Sequence, residues 1–198
     1  MKKSFLLVSL SVMMAISAIA QKDLKPFKFD LSLGYAIPGG TGAKGGLIFA
    51  AEPKYAVIPQ LSVGLRGEVA IMARGVSGVE DEYDEFEVKA SASYLATADY
   101  YFTENYNFRP FAGAGAGIYS LAATTVNEYE NEYDGSAKTK FGGMVRGGIE
   151  TRHFRFGVEY NMVPKTTYTD YNGSGNKITT KNGYLGFKVG ICIGGGPR

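Results

Sequence analysis

The chain has 198 residues with 21 basic and 19 acidic side chains, so its formal net charge is only +2. This balance argues against a nucleic-acid partner, which would require a strongly basic surface. The length suits a single domain. It excludes a sixteen-stranded porin, whose strands alone would use nearly the whole chain at roughly 9–11 residues each.

The N-terminus has the three parts of a secretory signal. Two lysines are followed by an apolar run over 5–19, and the small-residue sequence Ala-Ile-Ala closes at Ala20. The run is shorter than the roughly 20 apolar residues that a membrane-spanning helix needs. We therefore predict that residues 1–20 are a cleaved signal peptide and that 21–198 form the mature domain.

Beyond the signal, apolar and polar residues alternate in eight stretches, with the period of two that is typical of β-strands. The last stretch shows it most clearly, because its odd positions from Leu185 to Ile193 are all apolar while its even positions are glycine, Lys188 or Cys192. In chain order, the predicted strands cover 29–35, 46–55, 61–74, 87–102, 108–122, 140–150, 154–162 and 184–194.

The connections between these strands alternate in length. Those after strands two, four and six are short, whereas those after one, three, five and seven are predicted to be long. This is typical of an up-and-down barrel with turns at one rim and loops at the other. Every charge within a strand also falls opposite the apolar face, as a bilayer would require, since a lysine or arginine facing lipid at mid-bilayer costs about 2–4 kcal/mol. We predict an all-β fold: an eight-stranded antiparallel up-and-down transmembrane β-barrel.

Alternation alone does not say which face lies inside. A soluble lipocalin-like ligand binder is also an eight-stranded barrel, but its apolar face would point inward. The secretory signal, the charges on the polar faces of adjoining strands, and aromatic residues near strand ends, such as Tyr55, Tyr100 and Tyr160, favour a barrel whose apolar face contacts lipid.

Two stretches resemble a known family. R-P-F-A-G-A-G-A-G-I-Y at 109–119 and Y-L-G-F-K-V-G at 184–190, with the signal peptide, resemble the small porin-like outer-membrane barrels of the OmpA, OmpX and OmpW types, over essentially all of 26–194. The resemblance implies an integral protein in contact with outer-membrane lipid in a diderm (Gram-negative) bacterium. Such barrels often end in an aromatic residue, whereas this sequence ends in Gly-Gly-Gly-Pro-Arg.

The polar faces of the predicted strands would line the barrel interior with nearly balanced charge, to which Lys54 and Glu87 also contribute. Because an eight-stranded barrel is just wide enough for side chains to fill, we expect a paired network that plugs the lumen. The alternative is a small passive channel for ions or small, including hydrophobic, solutes. The predicted lumen network comprises Asp30, Glu52, Arg66, Glu68, Arg74, Lys89, Asp99, Lys140, Arg146, Glu150, Arg155, Glu159 and Lys188.

The fifth predicted strand carries a row of glycines on one face. Gly113, Gly115 and Gly117 alternate with alanines. A row without side chains would leave space in the interior for large side chains from the facing wall.

Catalysis has little support in the sequence. Lipid-modifying and proteolytic outer-membrane barrels use a histidine beside serine or aspartate at the outer rim, whereas the only histidine, His153, falls in a turn at the opposite rim. The only cysteine, Cys192, leaves no internal disulfide and is expected to pack within its strand. We therefore expect no enzymatic activity and no cofactor.

The second and third long loops interleave acidic with aromatic residues. Carboxylates suit hard divalent cations, but the spacing of an EF-hand is absent, so no ion site is assigned. The loops are expected either to contact an extracellular ligand or cell-surface partner, or to be simply solvated. Their acidic residues are Glu80, Asp81, Glu82, Asp84, Glu85, Glu128, Glu130, Glu132 and Asp134.

Overall fold

The computed structural model describes residues 25–39, 43–75, 86–125, 136–169 and 177–195. None of these residues forms a helix long and apolar enough to cross a membrane. The described strands are β1 (Phe27–Pro38), β2 (Ala43–Ile58), β3 (Leu61–Gly75), β4 (Phe86–Tyr101), β5 (Arg109–Thr125), β6 (Ser136–Thr151), β7 (Phe154–Met162), β8 (Thr166–Thr169), β9 (Lys177–Thr180) and β10 (Tyr184–Gly194). The predicted signal peptide lies outside the described residues and stays a prediction.

Eight of the strands close into a barrel in the order β1-β10-β7-β6-β5-β4-β3-β2, while β8 and β9 form a separate hairpin. The first and last barrel strands pair antiparallel along their length, from Lys28 opposite Gly194 to Pro38 opposite Tyr184. Closure therefore leaves no unpaired edge among the barrel strands. The predicted fold class, an eight-stranded antiparallel up-and-down barrel, is confirmed.

Two connections differ from the prediction. The connection after β1 is short rather than long, because β1 continues to Pro38 and β2 begins at Ala43. The connection between β4 and β5, predicted to cover 103–107, covers 102–108 and so is one residue longer at each end. We call the barrel end with this connection and the turns 59–60 and 152–153 the turn rim, and the opposite end the loop rim.

The turns of the turn rim are bound to one another. Arg152 has a φ of 49°, which is uncommon for a residue with a side chain. Its backbone N–H donates to the carbonyl oxygen of Tyr106 at 2.9 Å, and its Nε donates to Asn107 Oδ1 at 2.8 Å. These bonds hold the 152–153 turn against the 102–108 connection.

Pro53 lies well inside β2, because this strand continues to Ile58, beyond the predicted end at 55. Proline has no N–H to donate to a neighbouring strand. The described β2–β3 pairs accommodate this by passing from Ala51↔Gly67 directly to Lys54↔Gly64. The ladder is therefore interrupted where the donor is missing, and the barrel stays in register.

The outside of the barrel is apolar. Leu47, Leu65 and Phe141 are 72%, 68% and 71% exposed, while Glu52 and Arg66, on the same strands, are buried inside. This distribution is the inverse of that in a soluble protein, where charged residues are almost never fully buried unless they are paired. The soluble lipocalin-like alternative needs an apolar interior and is therefore wrong.

Replacing Leu65 by arginine should lower the free energy of unfolding from lipid vesicles by about 2–4 kcal/mol, the cost of a lysine or arginine facing lipid at the bilayer midplane, because this outward side chain belongs to the apolar outer face. Leu65 pairs with Ala96, which lies between the outward-facing Tyr94 and Tyr100. Denaturant unfolding followed by circular dichroism measures the change.

The matched control is Ile37→Arg, near the loop rim on β1, which should cost only about 0–1 kcal/mol because arginine reaches water there. Equally small costs at both positions would contradict a lipid-facing exterior.

Candidate functional site

The inside of the barrel is filled by charged side chains, because alternate residues of every strand point inward. Lys188 is partly buried and the others are buried, and each makes at least one ion pair. The described members are the carboxylates Asp30, Glu52, Glu68, Asp99, Glu150 and Glu159 and the cationic side chains Lys28, Lys54, Arg66, Arg109, Arg146, Arg155 and Lys188.

The central pair joins opposite walls. Arg146 on β6 donates from Nη1 and Nη2 to the two carboxylate oxygens of Glu52 on β2, both at 2.7 Å. These strands lie four places apart in the closed ring of eight, so the pair crosses the full width of the lumen. The same guanidinium also donates from Nε and Nη2 to Asp99, at 2.7 and 2.9 Å.

Asp99 accepts four hydrogen bonds from three cations. It is 0% exposed, and its Oδ2 lies 2.8 Å from both Lys54 Nζ and Arg155 Nη2. Lys54 continues the chain of charges, because its Nζ lies 2.5 Å from Asp30 Oδ2. Asp99 therefore faces three cations from β2, β6 and β7, which together offset the cost of burying its charge.

Toward the turn rim, a tyrosine connects the ion pairs. The Tyr101 hydroxyl accepts hydrogen bonds from Lys28 Nζ at 2.7 Å and Arg155 Nη1 at 2.9 Å, and donates to Glu150 Oε2 at 2.8 Å. Lys28 Nζ also lies 2.6 Å from the same carboxylate oxygen. The Arg155 guanidinium packs 3.5 Å from the ring centroid of Phe111.

Toward the loop rim, a second group of charges again joins opposite walls. Arg66 Nη2 on β3 donates to Glu159 Oε1 on β7 at 2.6 Å and also contacts Glu68. Lys188 Nζ lies 2.7 Å from Glu159 Oε2, and the Tyr184 hydroxyl donates to Glu68 Oε1 at 2.6 Å. β3 and β7 are four places apart in the ring, like β2 and β6.

An apolar cluster inside the barrel extends from this group toward the loop rim. Ile48, Met72, Val163 and the ring of Tyr184 are among its buried members. The interior therefore changes from ion pairs to apolar contacts along the barrel axis.

The inward glycines of β5 make space for side chains of the neighbouring strands. Asp99, Gly113 and Arg146 lie side by side on β4, β5 and β6. A methyl group at Gly113 would overlap Asp99 Oδ1, and at Gly115 it would lie 3.0 Å from Thr97 Cγ2 and 3.3 Å from a methyl carbon of β6. The prediction that side chains from the facing wall fill this space is therefore wrong at Gly113 and Gly115, where side chains of the neighbouring strands fill it.

The structure brings most of the predicted lumen residues together and leaves one outside the network. Lys140 donates from Nζ to the backbone carbonyl of Lys165 at 2.5 Å, beyond β7, so its assignment to the lumen network is corrected. The side chains of Arg74, Lys89 and Glu87, and the acidic loop residues of 76–85 and 126–135, lie outside what the structure describes.

Sequence reasoning missed two interior cations. Lys28 has the same phase in β1 as Asp30, and Arg109 has the same phase in β5 as Gly113, so the alternation did carry the signal. Lys28 was left out because the first predicted strand began at 29, two residues after the start of β1 at Phe27.

One group of described residues has metal-ligand chemistry. Ligand atoms of Asp30, Glu150 and Cys192 lie within 4.8 Å of one another. However, Lys54 lies 2.5 Å from Asp30 and Lys28 lies 2.6 Å from Glu150, so ammonium groups already take up the carboxylate charge. The donor set therefore fits ion pairing and not a metal ion.

Little empty space remains among these side chains. A cavity of about 30 Å³ lies in the interior, lined by residues including Asp30, Glu52, Arg146 and Arg155. A buried water needs at least about 10–15 Å³ of such volume, so this space suits one or two waters.

A closed barrel with an apolar exterior and a charged, filled interior is the fold of the small eight-stranded outer-membrane barrels. The chain is similar to Neisserial surface protein A, with 16% identity over 86% of this chain and 98% of that one and a TM-score of 0.58. It is also similar to outer membrane protein OprG from Pseudomonas aeruginosa, with 14% identity over 86% and 97% of the two chains and a TM-score of 0.50. At these identities the likeness shows the fold alone. No protein-family model and no curated protein sequence matches the chain.

Replacing Asp99 by asparagine should lower the free energy of unfolding by about 3–5 kcal/mol, because it leaves three buried cations without their shared carboxylate. Denaturant unfolding in lipid vesicles measures the change. Glu104→Gln is the matched control, since this acid lies exposed in the 102–108 connection and, within the described part of the chain, accepts a side-chain hydrogen bond from Gln60 alone. Equal effects of the two substitutions would contradict the central role of Asp99.

Replacing Gly113 by alanine should lower the free energy of unfolding by about 1–3 kcal/mol, the usual range for overpacking. The added methyl group would overlap Asp99 and lie 2.8 Å from the Ala98 carbonyl oxygen. Gly147→Ala is the control, since its methyl group would meet nothing closer than the Phe111 carbonyl oxygen at 3.6 Å. A Gly113 variant as stable as the Gly147 variant would contradict the close packing.

Proposed function

We propose that this chain is an integral protein of the Gram-negative outer membrane whose barrel is closed to solute flow and acts as a structural and surface-interaction element. The apolar exterior supports the membrane location, since side chains such as Leu47 and Phe141 would otherwise be exposed to water. The likeness in fold to Neisserial surface protein A and to OprG agrees with this location.

The cross-lumen ion pairs carry the proposal of a closed barrel. Arg146–Glu52 and Arg66–Glu159 each connect opposite walls, at different heights. An ion passing through the lumen would have to displace both pairs. Leaving one partner of a buried pair without the other costs about 3–5 kcal/mol. The cavity of about 30 Å³ beside Arg146 has no room for a hydrated solute.

The surface-interaction part rests on the acidic and aromatic sequences of 76–85 and 126–135. Both segments follow strands that run toward the loop rim, β3 and β5, and the strands between them, β4 and β5, are neighbours in the barrel. The strand ends that flank the two segments are adjacent, since Glu87 pairs with Thr125. We assign them contact with an extracellular ligand or cell-surface partner that carries complementary positive charge.

The proposal includes no catalytic role. His153 lies exposed in a turn at the turn rim, and its Nδ1 is 3.3 Å from the backbone carbonyl of Cys192. This contact provides no nucleophile for the imidazole to activate.

Conductance in a planar bilayer tests the closed lumen. The mature chain, refolded in detergent and shown by a heat-modifiable gel band to be a closed barrel, should give no steady single-channel openings. Replacing both Glu52 and Arg146 by serine should raise conductance, because it removes the central cross-lumen pair. Leu65→Ala, on the outer face, is the control and should remain silent.

Steady unitary openings of the unmodified protein would contradict the closed barrel and favour the alternative, a small passive channel. A double variant that folds, as the gel shift shows, and stays silent would contradict the role of the Arg146–Glu52 pair as the main obstruction.

A further inference from the structure

A second cavity lies at the turn rim, where Lys28, Arg109 and Glu150 of the interior network form part of its wall. It has a volume of about 280 Å³ and is lined by residues from the start of the barrel, all three short turns and the end of β10, including Lys25, Lys28, Arg109, Arg152 and Gly195. This volume is close to the lower end of the range for small-molecule sites, about 300 Å³. We call this cavity the turn-rim vestibule.

The vestibule is strongly cationic. Lys25, Lys28, Arg109 and Arg152 line it together with one carboxylate, Glu150. That carboxylate is already held by Lys28 at 2.6 Å, and by Arg155 at 3.0 Å from the interior side. Arg109 Nη1 also lies 3.9 Å from that carboxylate, so the charges of Lys25 and Arg152 are the ones that the acid lining the cavity does not balance.

Arg109 is fixed in the wall of the vestibule. Its guanidinium lies between two tyrosine rings, 3.9 Å from the centroid of Tyr101 and 4.6 Å from that of Tyr106. Its Nη2 donates to the carbonyl oxygen of Pro59 at 2.6 Å. Although Arg109 is only 5% exposed, its Nε has no hydrogen-bond partner among the described residues. A buried, immobilised cation with an unused donor is preorganised for an acceptor.

Two further groups can take part. Tyr106 lines the cavity, and its hydroxyl is protonated at neutral pH even at the ordinary tyrosine pKa, which burial raises further. Arg152 is aligned by its Nε bond to Asn107 Oδ1 at 2.8 Å. The other carboxylate of these turns, Glu104, does not line the cavity and accepts from Gln60.

We propose that the turn-rim vestibule binds a phosphate-class oxyanion, either free in solution or as the headgroup of a membrane lipid. Several acceptor oxygens on one small anion match the guanidinium and ammonium groups of Lys25, Arg109 and Arg152, which line one cavity. Guanidinium groups suit phosphate in charge and in the geometry of their paired donors. The site is independent of whether the lumen conducts.

Titration of the refolded mature chain with inorganic phosphate tests the proposal. Isothermal titration calorimetry is carried out in detergent at constant ionic strength, with chloride replacing phosphate in the blank, because exposed charges are screened by salt. Saturable binding with one site per chain is the expected result. Heat no larger than that of the chloride blank would overturn the proposal.

Variants locate the site. Lys25→Gln combined with Arg152→Gln should weaken phosphate binding by about fivefold or more, because two charge-assisted contacts are lost. Both residues are exposed at the rim, so the barrel should fold, as the gel shift verifies. Lys165→Gln combined with Lys181→Gln removes the same charge from exposed positions beyond β7 and should leave the affinity unchanged. Equal weakening by the two double variants would show only general electrostatic attraction and would overturn the site.

A lipid experiment distinguishes the two sources of phosphate. The same titration is repeated in nanodiscs of phosphatidylcholine alone and with added phosphatidylglycerol. If phosphatidylglycerol leaves the affinity for inorganic phosphate unchanged, the ligand is a soluble anion. If phosphatidylglycerol competes with phosphate, and the Lys25/Arg152 variant abolishes this competition, the ligand is a lipid headgroup. Competition that persists unchanged in that variant would overturn the assignment to the vestibule.

Discussion

A buried charge in a narrow barrel must be neutralised by another strand of the same barrel, and the interior of this protein follows from that requirement. Asp99 and Arg146 are buried from bulk water, and an isolated buried ion would cost several kcal/mol. The lowest-energy arrangement brings each carboxylate to cations on other strands, with Tyr101 and Tyr184 hydroxyls filling the remaining acceptor positions. The same pairs brace the walls and occupy the lumen.

The apolar exterior is the counterpart of this interior. In a bilayer the backbone must satisfy its own hydrogen bonds, which a closed sheet achieves, and the outward side chains must be apolar. Residues alternate along each strand because outward side chains contact lipid, whereas inward side chains contact the ion pairs of the interior. β10 shows both, with Val189 and Ile191 outward and Lys188 inward.

This alternation explains what the sequence could and could not predict. The phase of each strand placed Glu52, Asp99 and Arg146 on the interior face, because side-chain direction in a strand is a local property. The partners were not predictable, because the Glu52–Arg146 pair depends on closure and register between residues 94 positions apart. The phase of a residue in its strand did not suffice for Lys140, which was predicted to join the lumen network. Near the loop rim its long side chain instead donates to the backbone carbonyl of Lys165, beyond β7.

The distance along the chain between the paired charges has a consequence for assembly. Lys28 and Glu150 are separated by 122 positions, so no single hairpin contains both partners. A strand entering lipid ahead of the others would bring its charge there unneutralised, which penalises stepwise insertion. We therefore expect the strands to associate before or while they cross the bilayer, in one cooperative event. The ion pairs would then stabilise only the closed barrel, in which every charge has its partner.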